Sequence, residues 1–491
     1  MYLITPDRFV NGDPNNDSVP SLKESVNRND ITGRHGGDLE GIRRSIDYID
    51  QMGFTAIWLN PVLENNQEKY SYHGYSTTDF YKVDERFGSN EDYRSLTKAA
   101  RNKNIKMIMD MILNHCGSDH WWMEDLPTTD WINFNNTFQV TNHKRTTVQD
   151  QYASSYDKKY FADGWFVKTM PDLNQRNPLF ATYLIQNTLW WIEYSGLAGI
   201  RMDTYPYPDK DFMTHWTKRV MEEYPNFNIV GEEWSTNPAI VSFWQAGKEN
   251  HNKYISYLPS VMDFPIQHAL VNALKEEESW SDGWQKLYEM LALDFLYPDP
   301  DNLVVFTDNH DMSRFFTQID EDISLFKLGM AYLLTIRGIP QIYYGTEILM
   351  NNASSPDHGV IRSDFPGGWE EDTINVFNNA GLNTEQVEAQ NFLRKLLHWR
   401  KTASAIHNGK LMHFAPYKGV YVLFRYSAMD KVMIVLNKNR EAVELDLDRY
   451  AEILDDHVRA SDIITEKEYI LKKGGKLFAP ARTPLILDFT P

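Results

Sequence analysis

The chain has a single cysteine, Cys116, in 491 residues, so no internal disulfide braces it and the redox compartment is left open. Positive charge is in deficit: 49 Lys and Arg stand against 68 Asp and Glu, a net charge of −19. A polyphosphate or an anionic membrane surface would meet a repulsive field, which argues against nucleic acid and membrane lipid as partners. No apolar run approaches membrane-spanning length, and the opening "MYLITPDRF" lacks a signal-peptide pattern. Internal repeats and low-complexity linkers are missing too. What is present in excess is aromatic: 13% of residues, with 14 Trp and 27 Tyr. A large core absorbs most of these, and the surplus suits uncharged ligands with flat apolar faces, such as sugars.

The length exceeds one small core and fits one large barrel with one or two added modules. Short runs rich in Ile, Val and Met recur, each closing in polar residues: "TAIWLNP" (55–61), "IKMIMDMILNH" (105–115), "LAGIRMDT" (197–204), "FNIVGEEW" (227–234), "NLVVFTDNHD" (302–311) and "IPQIYYGTE" (339–347). Such runs suit strands buried on both faces. With "MYLITP" and "SVMDFP" (260–265) they number eight, which favours a (β/α)8 TIM barrel over an open doubly wound sheet. Helical patterns lie between them: Leu39, Ile42, Ile46 and Ile49 form one stripe, and Ser89 with Asp92 resembles a capping box. Residues 116–169, rich in Trp, Asp, Asn and Thr, interrupt the alternation after strand three and read as an inserted loop domain. From 406 to 491, "GVYVLFRYS", "KVMIVLNKN" and "PLILDF" predict an antiparallel β-sandwich packed on the barrel, leaving 1–115 and 170–405 as the barrel itself.

In such a barrel the strand C-termini form the reactive face. Here they carry Asp110, Asn114 and His115 after strand three, Arg201 and Asp203 after strand four, Glu232 and Glu233 after strand five, and His310 and Asp311 after strand seven. Any one pair reads equally well as an ion pair linking barrel layers. The whole set points to glycoside hydrolysis, which uses one ionised carboxylate and one protonated one. An arginine beside Asp203 would keep that carboxylate ionised.

"DMILNH", "GIRMDT", "GEEW" and "FTDNHD" resemble, in order and strand context, the four signature segments of the α-amylase family of glycoside hydrolases. "GFTAIWLNP", "HGYSTTDFYKVDERFG", "MPDLN" and "GIPQIYYGTE" extend the resemblance over nearly the whole chain. "NGDPNND" followed by "RHGGDLEG" is most similar to the cyclomaltodextrinase and neopullulanase branch. The resemblance implies a retaining α-glucan hydrolase acting on maltooligosaccharides, cyclodextrins, pullulan or starch. Asp203 would be its nucleophile, Glu232 its acid and base, and Asp311 the residue that grips the ring hydroxyls. Arg201, His115 and His310 would position that ring and Tyr75 would stack on it. Strand alternation points Glu232 and its neighbour Glu233 to opposite sides, and the family pattern selects Glu232. A transglycosylase or isomerase on the same scaffold is the alternative. A non-catalytic glucan-binding or transporter accessory protein ranks last, since the carboxylates are retained.

Asn11, Asp13, Asn16, Asp17 and Asp38, with the carbonyl of Gly36, supply oxygens at a spacing suited to one Ca²⁺. Asx turns alone account for "NGDPNND" equally well, and the resemblance tips the reading to metal. A second Ca²⁺ site of the family needs a His that "DTYPY" lacks, and no organic cofactor is implied. Cys116 reads as a small buried residue, and Trp190 and Trp191 as helical core. Trp121, Trp122, Trp165 and Trp369 stand in loop contexts as candidate sugar platforms. Asp172 replaces a lysine common in the branch, leaving linkage preference open. Because Met1 lies almost on strand one, the N-terminal β-sandwich usual in the branch would be missing, by truncation or divergence. Periplasmic and cytoplasmic locations, and a homodimer, stay open.

Overall fold

The structure is a computed structural model that describes residues 1–454 and 458–489. Eight short strands form one parallel sheet: β1 (Tyr2–Ile4), β2 (Ala56–Leu59), β3 (Lys106–Met111), β4 (Gly199–Met202), β5 (Asn228–Gly231), β6 (Ser260–Val261), β7 (Val304–Phe306) and β8 (Ile339–Tyr343). They pair in the order β6-β5-β4-β3-β2-β1-β8-β7. The two edges then meet, because Met262 and Val304 form a parallel bridge and the Asp263 N–H donates to the Val304 carbonyl at 2.8 Å. The sheet is therefore a closed barrel. Its strands are buried at nearly every position, since helices cover the outside and side chains fill the inside, and this is why they read as unbroken apolar runs.

The covering helices follow the local signals. The stripe Leu39, Ile42, Ile46 and Ile49 is buried, although Ser45 divides it into α1 (Leu39–Arg44) and α2 (Ile46–Met52). Ser89 and Asp92 make the reciprocal capping box that opens α3 (Asn90–Asn102). Asn177 caps α4 (Pro178–Ser195), which Gly196 ends in the left-handed conformation at φ 65°. Trp191 lies inside α4 and donates its indole N–H to the Phe80 carbonyl at 2.9 Å.

The inserted segment leaves β3 and is stitched back onto it. His115 and Asp172 form an antiparallel bridge, and the Cys116 and Ser118 N–H groups donate to the Pro171 and Thr169 carbonyls at 3.1 and 3.0 Å. Beyond Thr402 the chain builds β9 (Lys410–Tyr417), β10 (Val420–Tyr426), β11 (Lys431–Asn437), β12 (Val443–Asp446), β13 (Val458–Asp462), β14 (Glu468–Leu471), β15 (Lys476–Ala479) and β16 (Thr483–Asp488). Six of them form an antiparallel sheet in the order β9-β10-β11-β16-β13-β14, and β12 pairs with β15. Alternation divides the large sheet's side chains. Tyr421, Leu423, Val432, Ile434 and Ile486 join the barrel's core, while Val422, Phe424, Met433, Val435 and Leu487 form a separate core with Leu445 and Leu477 of the small sheet. No helix among the described residues is long and apolar enough to cross a membrane.

Candidate active site

Strand register assembles the site. Asp110 on β3 lies opposite Arg201 on β4, and the pairing continues past the strand ends, with the Asp203 N–H on the Met111 carbonyl (2.9 Å) and the Glu232 N–H on the Met202 carbonyl (3.1 Å). Arg201 and Asp203 are two residues apart, so both face the same side of β4. The fully buried guanidinium of Arg201 answers three carboxylates: Asp110 Oδ1 at 2.9 Å, Asp203 Oδ1 at 2.7 Å and Glu232 Oε2 at 2.7 Å. Opposite charges at this strand end are thus a cation centred among acids. Thr204 follows in a left-handed conformation, φ 43°, that costs a non-glycine residue ~1–3 kcal/mol. That turn aims its N–H at Glu232 Oε2, 3.0 Å away. Gly231 is required before it, because a Cβ there would sit 2.7 Å from Leu258 and 2.9 Å from the Tyr205 ring.

Glu232 and Glu233 point apart. Glu232 opens onto the cavity, whereas Glu233 turns back to the Trp244 indole N–H (2.9 Å) and to Arg145 (3.3 Å). Burial pushes the Glu232 carboxyl up to about 8, Arg201 opposing and the charges of Asp203 and Asp311 adding to the rise. Arg201 and the Thr204 N–H both meet Oε2, so Oε1 is the oxygen left to carry a proton into the cavity. Asp311 is the reverse case. Burial alone would raise it, but His310 Nε2 at 2.9 Å and Arg362 Nη2 at 2.6 Å prevail and hold it well below the usual carboxylate range. Asp110 rises to about 7 by burial despite Arg201, and it accepts from Trp58 Nε1 and from the Tyr75 hydroxyl, each at 3.0 Å.

Asp203, Glu232 and Asp311 line one cavity of about 1030 Å³, with Tyr75 and His115 on its wall. Tyr75 lies parallel to His310, ring centroids 5.3 Å apart, and shares a 2.7 Å hydrogen bond with it. His115 Nε2 meets the Tyr75 carbonyl at 3.0 Å, and burial lowers the pKa of its imidazole. Arg201 and His310 lie behind this wall, gripping the residues on it.

A family model described as "Alpha amylase, catalytic domain" matches residues 3–414, and one described as "Cyclo-malto-dextrinase C-terminal domain" matches residues 411–488. The chain belongs to the α-amylase family. Its similarity to a cyclomaltodextrinase of Thermoanaerobacter pseudethanolicus is 28% identity over 97% of this chain and 75% of that protein. Neopullulanase 2 of Thermoactinomyces vulgaris is 28% identical over 90% of this chain and 69% of its own. A β/α-amylase of Paenibacillus polymyxa is 29% identical over 89% of this chain, which spans only 33% of that longer protein. Among solved structures, the α-amylase of Geobacillus thermoleovorans, complexed with acarbose, aligns with a TM-score of 0.79 and 28% identity, covering 99% of this chain and 97% of that one.

Not every expected residue of this α-amylase family member reaches the cavity. Trp369 is buried elsewhere, its indole N–H on the His35 carbonyl at 3.0 Å and its ring beneath the Arg28 guanidinium. Trp122 and Trp165 are buried, Trp122 stacking on His120 at 4.0 Å and on Phe80 of the barrel at 5.5 Å, and exposed Trp121 is not on the cavity wall. Trp234, Phe166, Tyr207, Tyr70 and Tyr72 line it instead, joined by His73, Arg145, His358 and Arg362. Arg362 sits in "PDHGVIRSDF", a loop without periodicity, and nothing in the sequence marked it.

The acidic N-terminal loop is compact. Asn11 Nδ2 donates to both oxygens of Asp17 at 2.9 and 3.0 Å, and a Cβ on Gly36 (φ 92°) would lie 2.8 Å from the Asp17 carboxylate. Asn11 Oδ1 and Asn16 Oδ1 are buried without a donor. Burial raises Asp17 to about 6, with the charges of Asp38, Asp7 and Asp13 contributing. Asp38 is already engaged, accepting from the Gly12 and Asp13 N–H groups and from Gly41 as the cap of α1. No three His, Cys, Asp or Glu side chains among the described residues gather as a metal cage. The donors that converge are hard oxygens, two of them amide oxygens without partners, and they fit a cation of the calcium type.

Proposed function

We propose that this chain hydrolyses α-1,4-glucosidic bonds in maltooligosaccharides, cyclodextrins, pullulan or starch with retention at the anomeric carbon. One observation carries the reading: three carboxylates from β4, β5 and β7 line a single cavity, one held strongly acidic and one raised to about 8. Asp203 Oδ1 is tied to Arg201, and Oδ2, with its longer 3.2 Å contact to Thr204, is the oxygen free to attack. As the C1–O bond breaks, Asp203 forms the β-glycosyl ester and the Glu232 proton passes to the departing oxygen. Glu232, now ionised, removes a proton from water, whose oxygen bonds to C1 as the ester breaks and Asp203 leaves as carboxylate. Asp311 binds ring hydroxyls more strongly as positive charge develops at C1. Tyr75 and His115 hold that ring, while Arg201 and His310 fix the groups that touch it. Transfer to a sugar acceptor would use the same ester and differ only in the last step.

We also infer that Ca²⁺ joins the N-terminal loop, held by Asn11, Asn16 and Asp17 with the Asp13, Asp38 and Gly36 oxygens around it. Bound there, it would neutralise clustered carboxylates and take no part in bond cleavage.

Asp203→Asn and Glu232→Gln should each lower maltohexaose hydrolysis by about 10⁴-fold or more with the fold intact, as removal of a nucleophile or proton donor does. A product profile from γ-cyclodextrin, pullulan, starch and maltotriose, with NMR of the first anomer released, tests the rest. A β-anomer appearing first would exclude double displacement.

A further inference from the structure

Glu233 poses a problem that Glu232 does not. Its carboxyl is buried, faces away from the cavity and has no place in the chemistry above. A buried carboxylate left alone costs several kcal/mol. Trp244 donates to one oxygen, and the other makes no hydrogen bond but faces Arg145 Nε at ion-pair distance, 3.3 Å, the arginine arriving from a short turn (Arg145–Val148) of the inserted segment. Arg145 meets Glu233 through Nε and also hydrogen-bonds the Tyr207 side chain on the cavity wall, and a planar fork of five N–H donors has donors beyond these two contacts. Arg145 is about a third exposed there, its side chain at 32%.

Two sets of loops line the cavity. Tyr75, Asp311 and Arg362, from the loops after β2, β7 and β8, are tied together through His310 and form the set assigned above to the ring whose bond is broken. Thr204, Tyr207, Trp234 and Arg145 line it from the loops after β4 and β5 and from the insertion; the Thr204 N–H meets Glu232 Oε2 at 3.0 Å and Tyr207 hydrogen-bonds Arg145, so this set adjoins the acid that protonates the departing sugar's oxygen. We infer that Arg145, held in place by Glu233, is a specificity residue that donates hydrogen bonds to hydroxyls of the sugar on the leaving-group side. Burial raises the Glu233 carboxyl to about 7 against the pull of Arg145, so it offsets part of the guanidinium charge, and the pair offers directed donors that suit the hydroxyls of a neutral glucose ring. Glu233 itself touches no substrate and acts as a positioning residue. The inference rests on Glu232 being the proton donor.

The test compares maltohexaose with α-maltosyl fluoride, whose leaving fluoride places no sugar on that side. Arg145→Ala should lower kcat/KM for maltohexaose by about 10- to 100-fold, mainly through KM, and for the fluoride by less than about threefold. Arg145→Lys should recover part of the loss. Glu233→Gln, which keeps an acceptor for Trp244 but frees the arginine, should give an intermediate loss with the same preference for maltohexaose. Equal losses on both substrates would make the pair a structural latch only and overturn the inference, as would no loss on either. A wild-type enzyme inactive on both substrates would instead overturn the hydrolase reading beneath it.

Discussion

At the scale of single residues, function depends on giving like groups unlike proton affinities. Glu232 and Asp311 are both carboxyls on the cavity near Arg201, yet Asp311 has two further cationic or protic partners in His310 and Arg362, and Glu232 has Asp203 and Asp311 as negative neighbours. Glu232 must carry a proton in the first step, and its protonated form is lost as pH rises through about 8, so kcat/KM should fall on the alkaline side near that value. The apparent pKa belongs to the cluster, and Asp110→Asn, which removes a neighbouring titrating group, should shift that limb. A kcat/KM profile flat to pH 10 would sink the assignment. The carboxylates were legible in the sequence as a set, because one charged strand end reads equally well as a structural ion pair but several closing the strands of one barrel face do not. Arg362 was not, since it reaches Asp311 across 51 residues from a loop whose sequence has no period. Trp369 misled for the same reason: a loop aromatic looks like a platform until its neighbour, here Arg28, is known to cover it.

Among elements, strand alternation did most of the work that sequence could anticipate. It separated Glu232 from Glu233 and placed Arg201 with Asp203, because a period of two leaves no choice once one face is inward. Where order depends on contacts between distant loops, the reading had less to use. The insertion was recognisable by its interruption of the β/α rhythm, but not that Trp122 and Trp165 would be consumed by packing, Trp122 against Phe80 and Phe180 of the barrel. The N-terminal loop is an intermediate case. Its oxygen-rich spacing was visible, whereas the capture of Asp38 by backbone N–H groups was not. If Ca²⁺ at 100-fold over its Kd joins Asn11, Asn16 and Asp17, it contributes about 2.7 kcal/mol to the folded state. EDTA should therefore lower Tm, added Ca²⁺ should restore it, and Asp17→Asn should abolish the response. Unchanged Tm and metal content on chelation would remove calcium from the account.

For the molecule as a whole, the β-strand module and the barrel share one apolar interior across the large antiparallel sheet. Leu423 is fully buried on the barrel-facing side of β10, opposite Ile434. Leu423→Ala should cost about 2–5 kcal/mol, as a leucine lost from a close-packed interior does. Calorimetry should record a lower Tm with maltohexaose turnover at 25 °C largely preserved, and separate unfolding of module and barrel with an unchanged barrel transition would show that the two are not coupled. The eight strands and their order around the ring followed from runs of apolar residues, but where the ring joins did not.

That join has a consequence for glucan cleavage. The seam between β6 and β7 is made by one residue pair and one further hydrogen bond, the slenderest link around the circle. Unrolled there, the sheet would carry Asp203 and Glu232 near one margin and Asp311 beyond the other, with four strands between nucleophile and ring clamp. The acid triad is thus a property of a circle rather than of any stretch of chain, and a slackened seam would silence the enzyme while leaving every strand in place.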